Sequence, residues 1–358
     1  MPKFHTLNVK EVRKETNDTV SVAFDVPNDL KADYQFIQGQ YLTLKAMING
    51  EEVRRSYSIC SSPMDEELRV AIKKVEEGRF STFANEVLKA DDKLEVMTPM
   101  GRFYTEVHSE QSKKYVAFAA GSGITPIISI MKTVLETESE SEFILFYGNQ
   151  KTDTIIFKEA IDGLKNTNMQ RLSVYHILSR EAIGSSLFEG RIDKERCEKF
   201  CNLFLDVESV DEFFMCGPES MIFDVKDTLE TLGVDKKKIH FELFTTSATP
   251  APQKPKKKKA ISNEDLSDIT VILDSHSYQF QLGEDGENLL DAALKEGADL
   301  PFACKGGVCC TCRAKITEGT VDMTVNYALE PWEVEQGFVL ACQAHPTSKK
   351  VVMSFDET

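Results

Sequence analysis

The stretch ACKGGVCCTC, residues 303–312, carries three cysteines in the spacing C-x4-C-x2-C, namely Cys304, Cys309 and Cys312. A fourth cysteine, Cys342, follows after a long gap. This spacing is typical of the thiolate ligands of a plant-type [2Fe–2S] cluster, in which three ligands lie on one loop. The two glycines of the stretch have no Cβ, so backbone N–H groups can approach the sulfides closely. The spacing therefore predicts a domain that transfers single electrons.

Zinc and disulfides are two other common uses of four cysteines. Structural zinc sites usually combine one C-x2-C pair with a second pair or with two histidines, and His345 lies outside the motif. Disulfide frameworks belong to secreted chains, whereas residues 1–5 lead into polar, strand-like sequence with no signal peptide. We interpret Cys310, which stands between two of the ligands, as a bystander.

The length of 358 residues predicts two or three domains, and a hydrophobic content of 41% is enough for proper cores. No apolar run approaches the roughly 20 residues needed to span a bilayer, so we expect no membrane association. Nine cysteines without a secretory segment indicate a reducing, cytoplasmic compartment. The net charge of −16 argues against nucleic-acid binding and favours protein partners with basic patches.

Much of the negative charge lies in the cysteine-containing part of the chain. Residues 268–358 contain six Lys and Arg against fifteen Asp and Glu, a balance of −9. An acidic surface around an electron-transfer centre suits docking onto a positive partner face, although it serves solubility as well.

Residues 246–267 predict a linker in front of the cysteine domain. The segment has no hydrophobic periodicity and is rich in Pro, Lys and small polar residues. As a flexible coil, its 22 residues would span roughly 25 Å root-mean-square. A nucleic-acid or membrane patch is the alternative meaning of its lysine run, but a solvated tether fits the acidic remainder better.

Residues 1–107 show short runs of alternating polar and apolar residues, separated by Gly, Pro and acidic turns. This pattern predicts a small antiparallel β-barrel, with one helix over residues 81–89. The strand-like runs cover residues 19–24, 41–44, 56–59, 68–72 and 94–96.

Residues 113–244 alternate between strand-like and helical patterns. Such alternation implies right-handed crossovers and a doubly wound parallel sheet of the α/β class. The expected strands cover residues 115–120, 143–147, 172–178, 212–216 and 239–244. The expected helices cover residues 127–136, 157–164, 193–200 and 219–232.

The four residues Arg55-Ser56-Tyr57-Ser58 point to a flavin site in the barrel domain. Alternate residues of a strand share a face, so Arg55 and Tyr57 point one way, and Ser56 and Ser58 the other. An arginine suits a diphosphate, an aromatic ring suits a stacked isoalloxazine, and a hydroxyl suits a flavin nitrogen. An exposed strand with a scattered charge is the alternative.

A phosphate site is predicted at Gly78-Arg79-Phe80-Ser81, ahead of the expected helix. With Ser81 as the N-cap, the free N–H groups and the dipole of the helix N-terminus would face a phosphate. An ordinary capped helix has the same pattern, so the interpretation depends on the neighbouring Arg55.

Two strand ends of the α/β domain predict a nicotinamide nucleotide site. One strand runs into Gly121-Ser122-Gly123-Ile124-Thr125-Pro126, where Pro126 is expected at the first helical position and the last glycine of the usual G-x-G-x-x-G is missing. Another strand ends at Cys216-Gly217-Pro218. Ligands of such sheets bind at the carboxyl ends of the strands, so Cys216 is expected beside the nicotinamide ring. The cysteines interpreted as buried hydrophobic residues are Cys60, Cys197 and Cys201.

In this order, the motifs at Arg55, Gly78, Gly121 and Cys216 resemble those of the ferredoxin–NADP reductase superfamily, with a plant-type ferredoxin domain fused behind them. The resemblance covers essentially the whole chain except the lysine-rich linker. It implies an FAD-binding domain over residues 1–107, an NAD(P)-binding domain over 108–245 and an α+β ferredoxin domain of the β-grasp fold over 268–358. The stretches similar to reductase subunits of bacterial phenylacetyl-CoA epoxidases are 50–55, 299–309 and 326–331.

The resemblance also implies a role for each motif. Arg55 would hold a flavin phosphate, Tyr57 would stack on the isoalloxazine, and Ser58 would hydrogen-bond near the reactive ring nitrogen. Cys216 would place the nicotinamide, and Glu242 resembles a carboxylate that related reductases bring towards the flavin. The implied catalytic residues are Tyr57, Ser58, Cys216 and Glu242. The implied cofactor-binding residues are Arg55, Ser56, Tyr57, Ser58, Lys73, Gly78, Phe80, Ser81, Gly121, Gly123, Thr125, Pro126, Ser179, Arg180, Cys216, Gly217 and Pro218.

NADPH is the expected nicotinamide cofactor, with NADH as the alternative. Ser179 and Arg180 follow the third parallel strand, where superfamily members that prefer NADPH carry a hydroxyl and an arginine for the 2′-phosphate. Lys151 would add positive charge, and Glu181 is the nearby acidic residue.

The resemblance implies that electrons pass from NADPH through FAD to the [2Fe–2S] cluster and then to a separate diiron oxygenase, which acts on the CoA thioester of an aromatic acid. A reductase that serves another oxygenase, such as a ring-hydroxylating dioxygenase, is the first alternative. A non-catalytic iron–sulfur redox sensor is the second, and the flavin and nicotinamide motifs argue against it.

Overall fold

The computed structural model describes residues 3–244, 266–283 and 286–357. The chain divides after Phe244 into two compact units, of which the first begins at Lys3. Most of the predicted linker, 246–267, lies outside the described residues, and the first strand of the second unit begins at Leu266. None of the helices within the described ranges has the length and apolar character that crossing a membrane requires.

The first part of the first unit is an antiparallel barrel. Neighbouring strands pair in the order β4-β3-β6-β1-β2-β5, and a bridge between Ile59 and Val70 joins the two edge strands. Leu42 and Leu44 of β3 are fully buried, as expected for alternate residues that face the interior of a barrel. The predicted barrel is thus confirmed. Its strands are β1 (Phe4–Thr16), β2 (Thr19–Asp25), β3 (Tyr41–Ile48), β4 (Glu51–Ser58), β5 (Leu68–Lys73) and β6 (Lys93–Met97).

The helix of the barrel domain, α1, covers Arg79–Glu86 rather than residues 81–89, and its N-cap is Gly78. The prediction of Ser81 as the N-cap was therefore wrong. The Ser81 hydroxyl instead accepts from the Val75 N–H at 3.2 Å and donates to the Gly78 carbonyl at 3.2 Å, which closes the preceding turn. A Cβ on Gly78 would lie 2.3 Å from the Ser81 Oγ, so this tight turn requires a glycine.

The second part of the first unit is a five-stranded parallel sheet in the order β11-β10-β7-β8-β9. The five central residues of β7, 115–119, are fully buried, as expected for a strand covered by helices on both faces. The strand order reverses between β7 and β10, and this is where such sheets bind ligands. The predicted doubly wound sheet is confirmed. Its strands are β7 (Lys114–Ala120), β8 (Glu142–Asn149), β9 (Leu172–Leu178), β10 (Glu212–Gly217) and β11 (Ile239–Leu243). Its helices are α2 (Ile124–Thr137), α3 (Lys158–Thr167), α4 (Lys194–Phe204) and α5 (Glu219–Thr231).

The turn after β7 differs from the prediction. A short 3-10 turn over Gly121–Gly123 leads directly into α2 at Ile124, so Pro126 is the third helical residue and not the first. A proline is tolerated there because N–H groups of the first turn have no partner within the helix.

The barrel and the sheet share a core. Phe103, Cys60 and Ala71 belong to the same buried cluster as the apolar faces of α2 and the sheet. The Phe103 ring meets the Phe214 ring edge to face, with centroids 5.5 Å apart. The Ser129 hydroxyl donates to the Ser61 carbonyl at 2.6 Å. These contacts hold the two halves of the first unit in register.

The second unit contains a mixed sheet in the order β13-β12-β18-β14-β16, of which the β12–β18 pair is parallel. Its core includes the fully buried Leu289 and Leu290 of α6, so the unit has the expected β-grasp character. The sheet strands are β12 (Leu266–Leu273), β13 (His276–Gly283), β14 (Arg313–Glu318), β16 (Phe338–Leu340) and β18 (Lys350–Ser354). A two-stranded sheet pairs β15 (Val321–Met323) with β17 (Ala344–Pro346), and the helices are α6 (Leu289–Lys295) and α7 (Pro331–Glu335).

Candidate functional site

Three residues implied as catalytic meet where the barrel touches the parallel sheet. Ser58, the last residue of β4, is buried, and its Oγ donates to Glu242 Oε2 at 2.9 Å. Glu242 pairs with Cys216 in the register of β10 and β11. The fold therefore brings a hydroxyl, a carboxylate and a thiol from two different domains to one place.

Burial controls the charge of these groups. It raises the pKa of Glu242 to about 7, and the hydrogen bond from Ser58 partly offsets that rise. Burial, followed by the charge of Glu242, raises the pKa of the Cys216 thiol well above its usual range. Cys216 thus stays a neutral thiol, while Glu242 can exchange a proton near neutral pH.

The remaining residues of the β4 motif have distinct surroundings. Tyr57 packs against the buried Phe80 ring, with centroids 5.7 Å apart, and burial raises the pKa of its phenol. Ser56 Oγ lies 3.1 Å from Thr43 Oγ1. Arg55 Nη1 donates to the Arg54 carbonyl at 2.7 Å. Of these residues, Tyr57 is the one that an aromatic ring, that of Phe80, supports.

The start of α1 offers donors to a phosphate. The first N–H groups of the helix have no partner within it. Arg79 forms an ion pair with Glu51 of β4. Lys73, the last residue of β5, lies 3.5 Å from Asp18, measured from Nζ to Oδ2. Arg79 and Lys73 are thus each paired with a carboxylate.

The two glycine turns at the reversal of strand order are in contact. A Cβ on Gly123 would lie 2.0 Å from the Cys216 carbonyl oxygen and 2.7 Å from the Gly217 nitrogen. Gly121 has a φ of 53°, in the left-handed region that favours glycine. Thr125 Oγ1 donates to the Ser122 carbonyl at 3.0 Å within the same turn. Pro218 is the N-cap residue of α5.

The ends of β8 and β9 hold the residues expected to select the nicotinamide cofactor. Ser179 Oγ donates to the Asn149 carbonyl at 3.2 Å, and Arg180 is exposed. Thr152, which sequence reasoning missed, donates twice to Glu181 from its backbone and its hydroxyl. Its only signal in the sequence was its position just after the second parallel strand.

The four predicted cluster cysteines stand as two pairs in the second unit. Cys304 and Cys309 have their sulfur atoms 3.1 Å apart. The Cys309 thiol is the donor of this pair and lowers the pKa of Cys304 to about 6, and the Cys312 thiol lowers the pKa of Cys342 in the same way. In the ranges that the structure describes, no three His, Cys, Asp or Glu side chains converge on a single metal position. Two thiolates for each of two irons is the donor set of a [2Fe–2S] cluster, so these residues fit it.

The backbone around the cysteines supports this arrangement. The Gly306 N–H donates to the Cys304 sulfur at 3.3 Å. Gly307 has a φ of 74°, and a Cβ there would lie 3.0 Å from the Val325 carbonyl oxygen. Gln343, another residue that sequence reasoning missed, donates to the Cys342 sulfur at 3.6 Å. The position of Gln343 next to a ligand was its only signal.

Cys310 donates a hydrogen bond to a backbone carbonyl. Its sulfur lies 3.2 Å from the Ala328 carbonyl oxygen. This contact agrees with its interpretation as a bystander.

Three protein-family models match the chain, and together they cover most of it. The oxidoreductase FAD-binding domain matches residues 6–104, and the oxidoreductase NAD-binding domain matches residues 118–227. The 2Fe-2S iron-sulfur cluster binding domain matches residues 272–347. The chain is therefore an oxidoreductase with flavin, nicotinamide and iron–sulfur domains in that order.

Several relatives match the chain over nearly its full length. The chain is 44% identical to a subunit of the 1,2-phenylacetyl-CoA epoxidase of Escherichia coli K12, over 99% of each chain. It is 32% identical to the ferredoxin reductase component of 3-ketosteroid-9-alpha-monooxygenase of Rhodococcus rhodochrous, over 98% of this chain and 96% of that protein. The structure of phthalate dioxygenase reductase, 20% identical, covers 98% of each chain with a TM-score of 0.56, which shows a common fold. The chain belongs to the family of reductase components of oxygenases in which a ferredoxin–NADP reductase module and a plant-type [2Fe–2S] domain share one chain.

Proposed function

We propose that this reductase takes electrons from NADPH and delivers them to a diiron oxygenase, the phenylacetyl-CoA epoxidase of a multicomponent complex. The relative that supports this acceptor is the Escherichia coli epoxidase subunit, which matches along the whole chain. A bound FAD would take a hydride from NADPH and release electrons singly, and a bound [2Fe–2S] cluster would carry them one at a time.

The contact between Ser58 and Glu242 is the observation that supports the electron path most directly. It joins the strand proposed to hold the flavin to the strand beside Cys216, where the nicotinamide is proposed to lie. Ser58 would orient the flavin ring edge, and Cys216 would shape the pocket for the nicotinamide as a small, neutral side chain. Glu242 would hold or release a proton at this junction near neutral pH.

The other proposed contacts rest on where the residues lie in the strands, helix starts and turns of the fold. Arg55 and the first turn of α1, residues 79–81, would bind the flavin phosphates, and Tyr57 would stack on the ring. The turn at Gly121–Gly123 would bind the phosphates of the nicotinamide cofactor. The four paired cysteines would hold the cluster as thiolates.

The electron path is tested by stopped-flow absorbance of the holoprotein after mixing with NADPH. Flavin reduction is expected before cluster bleaching, because the hydride acceptor precedes the one-electron carrier. Cluster bleaching by NADPH in protein stripped of flavin would contradict this order. Negligible NADPH-driven reduction of ferricyanide would favour a redox sensor instead.

The acceptor is tested by reconstitution. Purified epoxidase component and a purified ring-hydroxylating dioxygenase component are supplied separately with the reductase and NADPH. Product from the epoxidase component alone supports the proposal. The ferredoxin reductase component of the Rhodococcus monooxygenase, 32% identical, makes another oxygenase the alternative acceptor.

The preference for NADPH is supported by two exposed cations, Arg180 after β9 and Lys151 after β8. Both strands end at the carboxyl edge of the sheet, where the cofactor would bind. A higher kcat/KM with NADPH than with NADH is expected. Equal values for the two cofactors would contradict the preference.

A further inference from the structure

The segments that follow β8 and β9 remain joined beyond the sheet. The Ser179 N–H donates to the Asn149 carbonyl at 2.9 Å, and the Arg180 N–H donates to the Gln150 carbonyl at 2.8 Å. These backbone bonds continue the pairing of the two strands by two residues. They bring the exposed Arg180 next to the segment that contains Lys151.

The next bond between the two segments is made by a side chain. Glu181 Oε2 accepts from the Thr152 N–H at 2.7 Å, and Glu181 Oε1 accepts from Thr152 Oγ1 at 2.8 Å. These two bonds, with a smaller contribution from the charge of Lys151, lower the pKa of Glu181. The carboxylate is therefore ionised at neutral pH, and each of its oxygens has a donor on the neighbouring segment.

Whether Glu181 favours or opposes the binding of a phosphate depends on its two bonds to Thr152. A free carboxylate beside Arg180 would repel a 2′-phosphate and compete for its cations. A carboxylate that is bonded to Thr152 instead holds the two segments together. It thereby fixes the residue that precedes Thr152 in one segment and the residue that precedes Glu181 in the other. Lys151 and Arg180 are the cations adjacent to the bond.

We propose that Glu181 is a positioning residue for the 2′-phosphate of NADPH, and that its carboxylate ties the segment after β8 to the segment after β9 so that Lys151 and Arg180 face one phosphate. This inference rests on the NADPH preference proposed above. In this role Glu181 favours the binding of a phosphate through its hydrogen bonds, whereas its negative charge by itself would oppose that binding. Removal of the Glu181 carboxylate should therefore weaken phosphate binding if Glu181 positions the two segments, and strengthen it if Glu181 acts by repulsion.

The test is calorimetric titration of the full-length holoprotein with 2′,5′-ADP and with 5′-AMP, which differ by the 2′-phosphate. E181A removes both bonds to Thr152 and is expected to weaken 2′,5′-ADP binding about tenfold, and to leave 5′-AMP binding within about twofold. T152V removes the hydroxyl donor and keeps the backbone donor, so a smaller loss is expected. E181Q keeps an acceptor oxygen without the charge and is expected to restore most of the affinity.

D153N is the matched control, because it removes a negative charge from the same short turn, Thr152–Thr154, and leaves both bonds to Glu181 in place. Its 2′,5′-ADP affinity is expected to equal or slightly exceed that of the wild type. Tighter 2′,5′-ADP binding by E181A would overturn the inference, since Glu181 would then act by repulsion. Unchanged binding by E181A in a protein that prefers 2′,5′-ADP would overturn it as well. A wild type that binds both ligands equally would overturn the NADPH preference itself, and the inference with it.

Discussion

Ser58 Oγ donates a hydrogen bond of 2.9 Å to Glu242 Oε2, and the two residues are 184 positions apart in the chain. The hydroxyl belongs to the last residue of a barrel strand, and the carboxylate belongs to the last strand of the parallel sheet. This hydrogen bond thus joins the two domains at the point where their cofactors are proposed to meet. The properties of this junction lead to the first prediction.

Replacement of Glu242 by Gln is expected to change how stability depends on pH. The pKa of Glu242 is raised to about 7, so the folded state keeps a proton that the unfolded state releases near its ordinary value. The contribution of Glu242 to the free energy of unfolding is therefore present at low pH and is lost as the pH rises through about 7. Relative to the wild type, E242Q should gain about 1–2 kcal/mol in free energy of unfolding between about pH 5 and pH 8.

Urea unfolding followed by circular dichroism at several pH values measures this difference. The matched control is E219Q, at the exposed first residue of α5. It measures the baseline effect of a Glu-to-Gln change at an exposed position, against which the E242Q difference is compared. A constant difference between E242Q and the wild type would show that Glu242 titrates at its ordinary pKa.

Gly123→Ala is expected to destabilise the first unit and to slow reduction by NADPH. The added Cβ would lie 2.0 Å from the Cys216 carbonyl oxygen, so the two turns must separate. Overpacking of this kind costs about 1–3 kcal/mol. Gly163→Ala is the control, since the same change in the middle of α3 meets no atom within 4 Å and should stabilise by about 0.5–1 kcal/mol. Equal unfolding midpoints for the two variants would contradict the close approach.

Cys342→Ser and Cys310→Ser are expected to have opposite outcomes. Cys342 completes the second cysteine pair, so its replacement should remove most of the bound iron and the visible absorbance of the cluster. Cys310 lies against the Ala328 carbonyl, so its replacement should leave the iron content unchanged. Iron and sulfide analysis with visible spectra checks both. Loss of iron from C310S would show that Cys310 takes part in the site.

Glu333→Ala is expected to destabilise the second unit alone. Glu333 is fully buried and accepts from Arg313 Nε at 2.8 Å, and the guanidinium lies over the Phe338 ring. Removal of one partner of a buried pair costs about 3–5 kcal/mol, because the other charge keeps its desolvation penalty. Cluster absorbance should be lost at lower urea concentration, while flavin release is unchanged. Glu335→Ala, at the exposed end of the same helix, should leave both transitions in place.

Local patterns predicted the fold class and the kinds of site. The C-x4-C-x2-C spacing, the period of two in the barrel and the strand–helix alternation are all properties of neighbouring residues, so they can be read without a structure. Details at helix starts were predicted less well. The errors at Ser81 and Pro126 arose because the path of the preceding turn decides where a helix begins.

By itself, the sequence determined the order of the domains, the cysteines available to a cluster and the residue types of the flavin and nicotinamide motifs. Only the tertiary structure decided that Ser58 meets Glu242, that the backbone at Cys216 excludes any side chain on Gly123, and that Glu181 is bonded to Thr152. The physical reason is that a hydrogen bond, a raised pKa or a steric exclusion depends on the distance between atoms of different strands. Those distances are set by sheet order and packing, which no short stretch of the chain contains.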